Sequence, residues 1–147
     1  MTNNEVKESL IEELQLVTEK TSLSMREASR VLGVSTDWIR DIMKASGYNF
    51  KHKELISLET FAEALVNSRN YNHKKSIKEE TLHLYSLFDS KKILITLTDI
   101  QKTLNISYER TKRLLNKVAF FSRGDDSCNS QKCFYYYKEI EKLIQIS

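Results

Sequence analysis

Proline is absent from this chain and glycine occurs only three times in 147 residues, so it has few of the residues that build sharp, irregular connections. Sandwiches, barrels and disordered segments use such residues freely. A mainly α fold with small β elements is therefore expected. Apolar residues at 40% can fill a core, and charged residues at 29% can cover a surface. The length suits one domain or two small ones.

Several functional classes fall away. No apolar run approaches the roughly 20 residues that span a bilayer, and MTNNEVKESL lacks a signal-peptide core, which predicts a cytoplasmic protein. Cys128 and Cys133 are too few for a disulfide framework, and no two further ligands stand near them to complete a zinc site. They are expected to be free thiols in a loop. His52, His73 and His83 sit apart, and phosphate-loop, dinucleotide, nucleophile-elbow and H-E-x-x-H signatures are all missing. The expectation is no catalysis, no cofactor and no metal.

The first helix is predicted from Val6 to about Lys20, with Val6, Leu10, Leu14 and Val17 on one stripe. Ser24 with Glu27 makes a capping box that opens a short helix through Leu32. Gly33 suits the left-handed conformation of a tight turn, and Ser35 is placed to cap a second helix, Thr36 to about Ser46. Gly47 then ends it. The pattern EASRVLGVSTDWIRDIM is that of a helix-turn-helix, whose second helix enters a DNA groove. Next, Tyr48–Phe50 and Leu55–Ile56 flank a polar tip, Lys51-His52-Lys53-Glu54, and predict a small hairpin. Ser57 caps a helix bearing Leu58, Phe61, Ala62 and Leu65.

Over residues 22–67 this order of helix-turn-helix, basic-tipped wing and helix resembles the MerR superfamily, especially its excisionase branch. The resemblance implies winged helix-turn-helix units and duplex DNA as the partner.

Asn67–Ser76 is polar and reads as a linker. Ser76 with Glu79 predicts a helix to about Asp89 carrying Ile77, Leu84, Leu87 and Phe88. Beyond it the first pattern returns. With a shift of 72 positions, Leu32 falls on Leu104, Val34 on Ile106, Ser35 on Ser107, Ile42 on Leu114 and Tyr48 on Phe120. A second wing from Ala119 to Tyr137, longer at its tip by about seven residues, and a helix from Lys138 to Ile146 complete the copy. The expected architecture is two tandem winged helix-turn-helix units, residues 1–70 and 71–147, forming an internal pseudo-dimer. A tandem, internally dimeric excisionase-like chain is similar to the TraN-type DNA-binding proteins of conjugative transfer operons on Gram-positive plasmids. That likeness implies a target near an origin of transfer and its promoter.

One chain carrying two recognition helices predicts a monomer that binds two unlike half-sites about one turn of B-DNA apart. The wing strands, Phe134–Tyr137 among them, either join the halves in a central sheet or pack on their own half, with core and surface alternating. Residues 1–74 hold 10 basic and 11 acidic side chains, and residues 75–147 hold 13 and 9, so the second half is the more basic. The second helix presents Tyr108, Glu109, Lys112, Arg113 and Asn116, flanked by Arg110 and Lys117 and capped by Ser107. The first presents Thr36, Asp37, Arg40, Asp41 and Lys44 after Ser35. Lys or Arg can contact guanine, Asn can pair with adenine, and Thr36 can touch a thymine methyl. Asp37 and Asp41 oppose phosphate unless they orient Arg40 or accept from cytosine. Trp38, in the place of Arg110, is expected to pack against the wing. Lys51, His52 and Lys53, with Arg123, Gln131 and Lys132, would lie at wing tips near phosphates or the minor groove.

These features predict sequence-specific duplex binding, most simply by a transcriptional repressor of a mobile-element operon. The alternatives are an excisionase-like factor that bends DNA for recombination or relaxosome assembly, and a winged-helix protein–protein adaptor.

Overall fold

Residues 1–51, 53–70, 82–84, 92–116, 118–122 and 133–146 are described by the computed structural model. The chain divides into two compact units, Met1–Arg69 and Asn70–Ser147. It is mainly helical, with sheets built from strands of two to four residues. No helix among the described residues is long and apolar enough to cross a membrane.

The first unit runs α1 (Asn3–Thr18), β1 (Ser22–Leu23), α2 (Met25–Leu32), α3 (Thr36–Ala45), β2 (Ile56–Ser57) and α4 (Leu58–Asn67). Helix α1 begins earlier than its apolar stripe suggests because Thr2 and Glu5 form a capping box. The Glu5 amide donates to Thr2 Oγ1 at 3.2 Å and the Thr2 amide to Glu5 Oε1 at 3.3 Å. It stops at Thr18, and Glu19 turns left-handed at φ 56°. Val6, Leu10 and Leu14 are fully buried, but Val17, expected on the same stripe, is 64% exposed. Lys7 Nζ lies 3.7 Å from a Glu59 carboxylate that is 74% exposed. Such a pair adds under about 1 kcal/mol, against roughly 1.5–3 kcal/mol for each buried apolar side chain. The stripe holds α1.

Unlike the predicted hairpin, Tyr48–Phe50 forms no strand. Instead β2 pairs antiparallel with β1, Ser22 opposite Ser57 and Leu23 opposite Ile56. The Glu54 amide donates to Lys51 O at 3.1 Å, so a turn closes at the tip without strands to flank it. Leu55, two thirds exposed, offers no buried partner across such a hairpin. The rings of Tyr48 and Phe50 stack on each other, with centroids 5.4 Å apart.

The second unit contains β4 (Leu82–Leu84), β5 (Leu94–Ile95), α5 (Leu97–Leu104), α6 (Tyr108–Leu114), β6 (Phe120–Ser122), β7 (Cys133–Tyr136), α7 (Tyr137–Leu143) and β8 (Ile144–Ile146). Strands β6 and β7 form the expected antiparallel hairpin, Phe121 opposite Phe134, and β5 pairs with the other edge of β7, Leu94 opposite Tyr136. So Cys133–Tyr136 is the inner strand of its own unit's sheet. It does not alternate between core and surface: all four residues are buried, because β7 has neighbours on both edges and its sheet is covered on both faces. One face carries Ile95, Phe120, Cys133 and Tyr135 onto Ile100, Leu104, Leu114, Leu115 and Ile140.

Two further expectations are corrected. The helix predicted for 76–89 is replaced at Leu82–Leu84 by a strand that pairs in parallel with β8, and its remaining residues lie outside the described ones. The last helix ends at Leu143, where Ile144–Ile146 supplies that partner strand. Both segments alternate an apolar residue with His83 or Gln145, a period-two pattern that suits a ladder better than a helix. Of the predicted linker, Asn67 closes α4 and Arg69–Asn70 is a short strand, β3; 71–76 lie outside the described residues.

The repeat is reproduced in hydrogen bonds. Gly33 and Asn105 are both left-handed, at φ 84° and 53°. The Val34 amide donates to Ser29 O and the Ile106 amide, 72 positions on, to Gln101 O. Beyond the wing the shift becomes 79, which accommodates the longer tip: Ser57 and Ile56 answer to Tyr136 and Tyr135 in the strand registers. The Leu58 amide donates to Thr21 O as the Tyr137 amide does to Ile93 O. The correspondence fails at Tyr48 and Phe120, since only Phe120 lies in a strand.

Two expected outcomes test these local devices. Gly33→Ala should destabilise the protein by about 1–2 kcal/mol, the usual cost of a left-handed L-residue, while Asn105→Gly should be neutral or stabilising in chemical denaturation. Lys20 Nζ donates to Glu27 Oε2 at 2.6 Å, and this bond with the Ser24 amide holds the Glu27 carboxyl below its ordinary pKa. A depressed carboxylate stabilises the fold above its unfolded pKa, and the contribution is lost as pH falls through the folded value. Melting curves of wild type and Glu27→Gln should therefore separate near neutrality and draw together as pH falls below the ordinary carboxylate range.

Candidate nucleic-acid interface

Helices α3 and α6 are each presented by the same local machinery. Ser24 with Glu27 and Thr96 with Asp99 form capping boxes that start α2 and α5. Two residues after the left-handed turn, Ser35 Oγ accepts from the Trp38 amide at 3.1 Å and Ser107 Oγ from the Arg110 amide at 3.2 Å. The two serines nominated for contact thus also cap the helices they open. Each second helix is anchored by an inner face: Trp38, Ile39, Ile42 and Met43 on α3, Thr111 and Leu114 on α6. Thr111, where α3 has Ile39, buries its hydroxyl by donating to Ser107 O at 2.8 Å.

On α3, Asp37 and Lys44 are exposed and Arg40 is half-exposed. Arg40 Nη1 donates to Asp37 Oδ1 at 3.0 Å, so Asp37 does orient Arg40 as one of its two expected readings required. Thr36 lies half-buried with its hydroxyl 3.3 Å from Ser29 Oγ, which ties α3 back to α2. Trp38 is 2% exposed. It is a core residue, as its expected packing role requires, and not a side chain presented to a base.

On α6, Glu109, Arg110 and Arg113 are exposed, and Tyr108 is 41% exposed. Lys112 is half-buried because its ammonium lies 4.8 Å from the centre of the Tyr108 ring, a cation–π contact one helical turn long. Asn116 is not on the helix: α6 ends at Leu114, the Asn116 amide closes a turn onto Arg113 O, and its side-chain oxygen is buried. The predicted adenine contact there has no presented amide oxygen to use.

Lys51 and Lys53 are exposed in the connection between α3 and β2. His52, Lys117, Arg123, Gln131 and Lys132 lie outside the described residues, as does Cys128. Cys133, expected in a loop, is buried in β7 and joined in no disulfide. Among the described residues no three His, Cys, Asp or Glu side chains gather as metal ligands would.

Sequence reasoning missed the strands β1 and β5, which are too short for an alternating pattern. Their signal is indirect: each stands immediately before the capping residue of a repeated helix. Comparison with protein-family models, with curated proteins and with solved structures returned no match.

The equivalent positions 38 and 110 should respond oppositely to truncation. Trp38→Ala is expected to cost about 3–5 kcal/mol, the range for a large aromatic removed from a core. Arg110→Ala, on the surface, should stay within about 0.5 kcal/mol, both read from urea unfolding.

Proposed function

We propose that this protein binds double-stranded DNA sequence-specifically through two helix-turn-helix readers in one chain, without catalysis, and acts in the cytoplasm as a transcriptional repressor of a mobile-element operon. The supporting observation is the twofold construction of a capped, left-handed turn that presents α3 and α6 with charged outer faces. A helix held by its inner face, with Arg or Lys on the outer one, is the arrangement that reads base edges in a major groove. The hairpin β6–β7 beside α6 is the wing of the second reader. On this reading the chain is an excisionase-like, MerR-superfamily protein whose first wing has shrunk to a loop.

Selection from a random duplex library, with purified full-length protein at about 0.15 M salt to suppress non-specific binding, is the test. The expected result is one enriched site made of two unlike half-sites. Arg40→Ala and Lys112→Ala should each cost on the order of 1–3 kcal/mol, each at one half-site only. Absence of any enriched sequence would overturn the proposal.

A further inference from the structure

The two readers differ most where they should be alike. At equivalent positions α3 carries Asp37, Trp38, Arg40 and Asp41, and α6 carries Glu109, Arg110, Lys112 and Arg113. Trp38 is withdrawn into the core while Arg110 is exposed, and Asp41 is replaced by the exposed cation Arg113. The Arg40 guanidinium is already held by Asp37 at 3.0 Å, whereas Lys112 is braced against a neutral ring. The outer face of α3, Lys44 included, is thus balanced in charge, and that of α6 is cationic by two.

Building on the DNA-binding reading above, we infer that α6 supplies phosphate-driven affinity and α3 supplies discrimination, with Asp37 as a specificity-determining residue. A carboxylate bonded to Arg40 repels phosphate and resists a guanidinium that would otherwise settle on any backbone. The pair then offers a donor fork and an acceptor together, a surface that only a matching set of base edges satisfies. Contacts to phosphate bring affinity without sequence information, whereas contacts to base edges bring the information. In this chain both helices read a half-site, but the phosphate task is weighted toward α6 and the discriminating one toward α3.

The test titrates full-length protein with a random-sequence duplex and with the selected site across a salt series from about 0.05 to 0.2 M, where each phosphate contact contributes a slope of about 0.9. The variant Arg110→Ala/Lys112→Ala/Arg113→Ala should lose two or more units of slope on random DNA. Arg40→Ala/Lys44→Ala should lose less than one. Asp37→Asn should bind random DNA about three- to tenfold more tightly, with a slope steeper by about one, and its preference for the selected site should fall by a similar factor. Circular dichroism melts of all variants within a few degrees of wild type establish that charge, not folding, moves the readout. Equal slope losses from the two helices, or an Asp37→Asn protein unchanged in both affinities, would overturn the inference while leaving the DNA-binding reading intact. A wild-type protein that binds no duplex at the lowest salt would overturn both.

Discussion

The turn between the paired helices governs what the rest of each unit can present. A left-handed residue bends the chain, and a serine two positions on closes the next helix's first amide. An L-residue other than Gly, Asn or Asp would pay about 1–2 kcal/mol there, and loss of the cap would cost about 1 kcal/mol. Those sums are comparable with the whole contribution of a surface ion pair several times over. The outer faces of α3 and α6 are therefore set by backbone geometry, and their charged side chains are free to vary without disturbing it.

That freedom explains what could be read directly from the residues. Caps and turns are local, so Ser24 with Glu27, Gly33 and Ser35 announced α2 and α3 with nearly correct bounds. The buried stripe of α4 was equally plain in Leu58, Phe61, Ala62 and Leu65. Strand pairing depends on partners far along the chain, and there the reading failed. Ile56 was assigned to a hairpin with its near neighbours and found its partner at Leu23; Leu82–Leu84 was given to a helix and pairs with Ile144–Ile146. A capping-box pattern at Ser76 and Glu79 could not reveal that competition.

Of the candidate interface, the helix faces were legible and the individual tasks were not. Periodicity placed Arg40, Lys112 and Arg113 outward. It could not show that Arg40 is already bonded to Asp37, that Lys112 leans on Tyr108, or that the helix stops short of Asn116. Those depend on rotamers and on where the last helical bond forms. The same outward face can hold a free cation or a neutralised one, with different consequences for any polyanion that approaches it.

The inner position of β7 has a consequence for how the second unit assembles. Leu94 and Tyr136, which pair across β5 and β7, stand some 42 residues apart in the chain, whereas every helical bond in α5 and α6 closes over four. Loop-closure entropy opposes contacts of that separation until something offsets it. The helix pair therefore closes short loops, while the sheet carries the larger entropic cost of bringing the aromatic strand to its partner. Until that pairing forms, Phe134, Tyr135 and Tyr136, buried in the finished fold, are apolar surface open to other chains.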